Sequence, residues 1–213
     1  MSDSYFTVKN ETENVIVIER SKFICNIKPV VDEIDAKNYI ESLRKRHSLA
    51  NHSCYAYIAD EKGLVQKFSD AGEPQGTAGL PMLEVLKNKK IYKTVAVVTR
   101  YFGGIKLGTG GLTRAYGGSV TECLDKAVIC DMNKAKVFCV ELEYEGYSRL
   151  LKVLLDTNVS VLKTEFNNSV IVKFAVKNEY VTKFTVKLTD AFNGKINLIE
   201  EGKGFYDFKV KNA

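Results

Sequence analysis

Three cations and five glycines crowd into one short stretch of this 213-residue chain. Arg100, Lys106 and Arg114 stand among Gly103, Gly104, Gly108, Gly110 and Gly111, within VAVVTRYFGGIKLGTGGLTRAYGGSV at residues 95–120. Arginine presents a planar fork of donors that matches phosphate or carboxylate oxygens. Glycine lets backbone N–H groups approach a ligand closely. Anion binding is therefore the chemistry these types suit. The residues expected to carry it are Arg100, Lys106, Thr109, Gly110, Gly111 and Arg114, with Thr109 expected to cap the following helix. Tyr101, Phe102 and Tyr116 are placed to stack on unpaired bases. A plainer alternative stays open. The aromatics are then core, the glycines serve tight turns and close packing, and Arg100 pairs with Glu73 or Asp70.

A second set of reactive types precedes it. Asp70 and Glu73 lie in the loop SDAGEPQGTAG, Ser69 to Gly79. Two acids beside a phosphate site suit Mg²⁺ binding or general-base chemistry, and His52 at a strand start suits proton transfer. Asp70, Glu73 and His52 are thus the candidates for catalysis, and a metal-assisted hydrolase of a phosphorylated substrate is the alternative function. Asp70 as a turn former and Glu73 as half of a loop-fixing ion pair is the competing reading. No Cys–His or Ser–His–Asp arrangement follows from spacing. GGIKLGT, Gly103 to Thr109, lacks the lysine of a phosphate-binding P-loop, and GTGGLT lacks the last glycine of a dinucleotide fingerprint. No defined nucleotide-cofactor motif is present, and no cofactor or resident metal is expected.

The elements that must position these residues are legible from pattern. Val95 to Thr99 is an apolar, β-branched run and reads as a buried strand. Leu112, Ala115, Tyr116, Ser119, Val120, Cys123, Leu124 and Ala127 recur at helical spacing. The glycines thus sit between a strand and a helix, where backbone N–H groups and the positive end of a helix dipole coincide. Upstream, strands are predicted at Val15 to Glu19, Lys22 to Val31 and Ser53 to Asp60, the last in a hairpin with Leu64 to Phe68. A helix capped by Asp32 runs to about Arg46 with Ile34, Tyr39, Ile40 and Leu43 as its apolar stripe. Another helix starts near Ala78 or Gly79, with Pro81 in its first turn, and ends near Lys89.

From Lys136 the pattern becomes strand, helix (Tyr147 to Asp156), hairpin (Ser160 to Phe166 and Ser169 to Val176), helix (Glu179 to Phe192), and strand within Lys195 to Val210. That β-α-β-β-α-β order is ferredoxin-like. A boundary near Ile129 to Asn133 divides the chain into 1–131, which carries the glycine-rich motifs, and 132–213. The fold class is α+β.

Bulk properties narrow the function classes. Apolar residues make up 45% of the chain, enough for a substantial core, and the net charge of +5 permits an anionic partner without requiring one. No apolar run reaches the about 18 residues of a membrane span. The N-terminus lacks a secretory pattern and looks cytosolic. Five cysteines without a C-x-x-C pair read as reduced core residues. Two histidines leave few zinc ligands.

FSDAGEPQGTAGLPMLEVL and VVTRYFGGIKLGTGGLTRAYGGSV together resemble the YigZ/Impact family. The motifs D-x-G-E-P-x-G-x-A-G-x-P and R-Y-F-G-G-x-x-L-G-x-G-G-L-x-R-A-Y match nearly position for position, and the resemblance covers the whole chain. It implies an N-terminal α+β domain similar to the second domain of a small-subunit ribosomal protein, and a C-terminal ferredoxin-like domain similar to one in elongation factor G. Eukaryotic relatives act on translation, relieving activation of the amino-acid-starvation kinase by competing for its activator protein. The implied role is regulation of translation, with RNA, the ribosome or translation factors as partners and the cytoplasm as location.

Overall fold

The computed structural model describes residues 3–208. The chain forms two compact units that meet between Cys130 and Asp131. Each is described by itself.

In the first unit the strands are β1 (Ser4–Val8), β2 (Thr12–Ile18), β3 (Ser21–Pro29), β4 (His52–Ile58), β5 (Gln66–Ser69) and β6 (Thr94–Tyr101). The helices are α1 (Glu33–Arg46), α2 (Gly79–Asn88) and α3 (Gly108–Lys126). Five strands form an antiparallel sheet in the order β2-β3-β6-β4-β5. The central strand β6 is buried at every position but its last. Such a strand must be covered on both sides, which explains its continuous apolar run. One face, with Phe23, Cys25, Ile27, Cys54, Ala56, Ala96 and Val98, packs under α2 and α3. The other, with Tyr57, Val95 and Val97, packs against Ala36, Tyr39, Ile40 and Leu43 of α1.

Asp32 caps α1 as expected, its carboxylate accepting from the Asp35 amide at 2.8 Å. Ile34, expected on the apolar stripe, is 68% exposed, because the inward face starts at Ala36 and continues through Tyr39, Ile40 and Leu43. β1 has no counterpart among the expectations. It pairs with the strand at Ile129–Leu142, and its other ties are also to remote main chain, from the Phe6 amide to Lys90 O and from the Tyr92 amide to Phe6 O. The helix expected from Leu112 begins at Gly108, so the second glycine cluster is its first turn rather than a loop.

In the second unit the elements are β7 (Ile129–Leu142), which begins at the end of the first unit, then α4 (Tyr144–Leu154), β8 (Val159–Phe166), β9 (Val170–Lys177), α5 (Val181–Ala191) and β10 (Ile199–Asp207). Its strands lie side by side as β10-β7-β9-β8, antiparallel throughout. The order along the chain and across the sheet is that of the expected ferredoxin-like fold. Phe138, Val140, Val172, Phe174 and Val176 on one face pack against Leu150 and Val153 of α4 and Phe184 and Leu188 of α5. α4 starts three residues earlier than its periodicity suggests. The end of the predicted last strand, at 209–210, lies outside the described residues.

Candidate anion-binding site

The register of the first sheet decides where the reactive residues go. Arg100 on β6 stands directly opposite His52 on β4 and Phe23 on β3. Side chains alternate along a strand, so Ala96, Val98 and Arg100 share the face covered by α2 and α3. Arg100 therefore ends the strand pointing inward, and its side chain is 6% exposed. A buried guanidinium requires partners. It finds Glu73 Oε1 at 2.7 Å from Nη1 and Ser21 Oγ at 3.3 Å from Nη2. Its Cζ also lies 5.3 Å from the Phe23 ring centroid and 5.4 Å from that of Phe102, a cation–π contact on each ring.

Glu73 Oε1 also accepts the Tyr116 hydroxyl at 2.7 Å. Burial, reinforced by Cys54 and Glu73, pushes the Tyr116 phenol far above its ordinary range, so it stays a donor. Glu73 Oε2 lies 3.9 Å from His52 Nε2. The other His52 nitrogen, Nδ1, lies 3.0 Å from Ala71 O. A carbonyl only accepts, so Nδ1 is protonated and donates to it. Ser21, His52, Glu73, Arg100 and Tyr116 thus bring five separate segments to one buried network.

Several expectations are corrected by these bonds. Arg100 is not a water-facing anion receptor; it is already paired with Glu73. Asp70 is not an open metal ligand. Its Oδ1 accepts the amides of Ala78 and Gly79 at 3.0 and 2.9 Å, and Oδ2 that of Gly76 at 2.9 Å. The start of α2 has no side-chain cap of its own, and Asp70 serves as its remote anion. With Glu73 committed to Arg100 and Tyr116, the pair of acids offers no metal site. Among the described residues no three His, Cys, Asp or Glu side chains could share a metal ion. Thr109 does not cap α3: the N-cap position is Leu107, with no side-chain hydrogen bond. Tyr116 is core, fully buried with its ring edge-on to Phe23 at 5.3 Å.

The glycines divide into two kinds. A Cβ on Gly103 would stand 2.0 Å from Arg20 C, so that glycine permits a close backbone crossing. Gly108 sits at φ +66° with open space around it. Gly110 has no contact nearer than Arg114 Nη1, 3.6 Å from where its Cβ would be. Arg114 therefore lies along the first turn of α3. Lys106, Gly108, Thr109, Gly110 and Arg114 are exposed and Gly111 is half-buried. No carboxylate pairs with Lys106 or Arg114 among the described residues.

Between this exposed rim and the buried network lies a cavity of about 400 Å³. His52, Glu73 and Arg100 supply its more buried polar lining; Pro74, Phe102, Leu107 and Leu112 form apolar walls; Asn51, Lys106, Gly108 and Thr109 complete the lining. Ser21 and Asn51 belong to this architecture without having been singled out from the sequence. Ser21 Oγ also accepts the Gly103 amide at 3.2 Å, and Asn51 Oδ1 accepts the Phe102 amide at 2.8 Å. Small polar residues at strand starts carry no periodic signal, so neither was detectable without the register.

Fold and site together define a two-unit α+β protein with a glycine-rich, cation-rimmed cavity in its first unit and a ferredoxin-like second unit. The model of the Impact N-terminal domain matches residues 19–124. IMPACT family member YvyE of Bacillus subtilis is 40% identical over 212 residues, spanning 100% of this chain and 97% of that one. IMPACT family member YigZ of Escherichia coli is 34% identical over 184 residues, 85% of this chain and 90% of its own. The chain belongs to the IMPACT family. A crystal structure described as that of a hypothetical protein superposes with a TM-score of 0.61 at 32% identity, covering 94% of this chain and 100% of the other. No helix among the described residues is long and apolar enough to cross a membrane.

Proposed function

We propose that the protein is a binding protein in the regulation of translation, and that its first unit holds RNA phosphate or a ribosome-associated anionic surface at the start of α3. Membership of the IMPACT family supports the translation link, through what the resemblance implies for its eukaryotic members. A cytoplasmic setting goes with that reading.

The observation that carries the anion reading is the pairing of an uncapped helix start with two cations that have no internal carboxylate, Lys106 and Arg114. The first N–H groups of a helix have no partner within it, and the dipole there is positive. Arg100 acts one layer deeper. Through Glu73 and Ser21 it fixes the end of β6 and the crossing at Gly103, and these hold the loop that carries Lys106. The hydrolase alternative gains no support from Asp70 and Glu73, whose oxygens already serve the protein.

Binding of single-stranded RNA and of ribosomes, measured across a salt series, tests the proposal. Phosphate contacts make log K fall with log[salt] by about 0.7 per contact on a single strand. Replacing Lys106 and Arg114 together by alanine is expected to weaken binding and flatten that slope by about 1–2. Binding indifferent to salt, or untouched by the double substitution, would overturn it.

A further inference from the structure

We propose that the cavity beside α3 seats a single nucleotide, with its phosphate at the Lys106 rim and its base against Phe102. This rests on the preceding reading that phosphate is held at the start of α3, and it names what the phosphate belongs to.

Size sets the first limit. Cavities that take small molecules run from about 300 to 1,000 Å³. At about 400 Å³ this one admits one nucleotide and excludes a helix or several stacked residues. The walls set the second. Pro74, Phe102, Leu107 and Leu112 are apolar, so an inorganic anion alone would leave them unfilled. The occupant must join a negative group to a body with apolar or aromatic faces.

Phe102 selects the aromatic body. It is 45% exposed although it directly follows the central strand, and its main chain is fixed by Asn51. One contact of its ring is the Arg100 guanidinium, which leaves ring surface for a stacked base. The inner part of the cavity selects a body with polar edges. Arg100 Nε is buried with no hydrogen-bond partner among the described residues, in a side chain more than nine-tenths buried. His52 and Glu73 also line the cavity, with Nε2 of the one 3.9 Å from Oε2 of the other. A guanidinium donor, a carboxylate acceptor and an imidazole, set among apolar walls, match the mixed donor–acceptor edge of a nucleobase.

The chain has no tryptophan, so Phe102→Trp in the full protein creates a single fluorophore in the cavity. AMP, GMP, CMP and UMP are titrated alongside ribose 5-phosphate, a short single-stranded RNA, and the same RNA with one abasic residue. Calorimetry on the unaltered protein and on Phe102→Ala accompanies the fluorescence. The expected result is quenching by nucleotides, at least tenfold weaker binding of ribose 5-phosphate, and at least tenfold loss in Phe102→Ala with retention in Phe102→Trp. Tight binding of mononucleotides alone assigns a free nucleotide as the source; tighter binding of the strand, weakened by the abasic residue, assigns a unit of RNA. Ribose 5-phosphate binding as well as nucleotides overturns the proposal, as does an acidic aromatic peptide outcompeting them. Salt-dependent RNA binding that needs Lys106 and Arg114 but ignores Phe102→Ala leaves the phosphate reading standing and removes this one. Absence of all anion binding removes both.

Discussion

Glu73 and Arg100 form a buried ion pair, 2.7 Å between Oε1 and Nη1, in which neither side chain is more than 6% exposed. It joins the loop before α2 to the end of the central strand. Removing one partner leaves a desolvated charge behind, which costs about 3–5 kcal/mol. Glu73→Ala is expected to destabilise the first unit by that order. A double-mutant cycle with Arg100→Met should give a double variant less destabilised than the two single losses summed, because both buried charges are then gone. Urea unfolding of the four proteins measures this, and additive losses would show that the pair is not coupled.

Gly103 tolerates no side chain. A Cβ there would overlap the Arg20 and Ser21 backbone at 2.0–2.4 Å, where no rotamer change relieves the contact. Gly103→Ala is expected to cost at least about 1–3 kcal/mol, the range of overpacking with backbone shift. Gly110→Ala, with only the Arg114 side chain nearby, is the matched control and should leave stability unchanged or raised. Thermal melts of the two variants separate close approach from simple glycine flexibility.

Asp156 supplies a pH signature in the second unit. Partial burial pushes its carboxyl up, but this is outweighed by hydrogen bonds from the Tyr180 hydroxyl and from the Asn158 amide and side chain, and by Lys187; together they bring it down to about 2. A folded value below the ordinary 3.8 means that its stabilising contribution is present above about pH 4 and is lost as pH falls toward 2. Carboxyl NMR titration should place the midpoint there. Tyr180→Phe, which deletes the 2.6 Å bond, should raise it. An unchanged midpoint would remove Tyr180 as a cause.

The thiols should differ in reactivity. Burial pushes the Cys54 thiol up to about 12, and its Sγ lies 2.9 Å from Asp70 O. Thiolate is the reactive form, so Cys54 is expected to resist alkylation in the native protein at pH 8. Cys139, the one cysteine that is not buried, should be modified first. The sign of the stability effect follows. An unfolded Cys54 releases its proton near 9 while the folded one keeps it to about 12, so this contribution is flat below pH 9 and declines above it. Mass spectrometry after timed iodoacetamide treatment reads the order directly.

Local patterns made much of the fold legible. The β-branched run on β6, the Asp32 cap of α1 and the β-α-β-β-α-β order of the second unit all rest on near-neighbour spacing, which a linear chain displays. β1 gives no such signal, because its hydrogen bonds reach β7, Lys90 and Tyr92, far along the chain. α3 starts earlier than its periodicity indicates: glycine has poor helix propensity, and here packing of Leu112, Ala115 and Tyr116 overrides it.

For the site, residue types alone determined that acids, cations and glycines would occur in two motifs close to one another. Which of them face water was decided by the register of β6 between β3 and β4. That register turns Arg100 inward, where desolvation forces it onto Glu73 and Ser21, while Lys106 in the loop before α3 and Arg114 on α3 remain exposed. Charge and hydrogen-bonding capacity are properties of a side chain and can be read one residue at a time. Their satisfaction depends on groups tens of residues away, and only the folded chain brings those within reach.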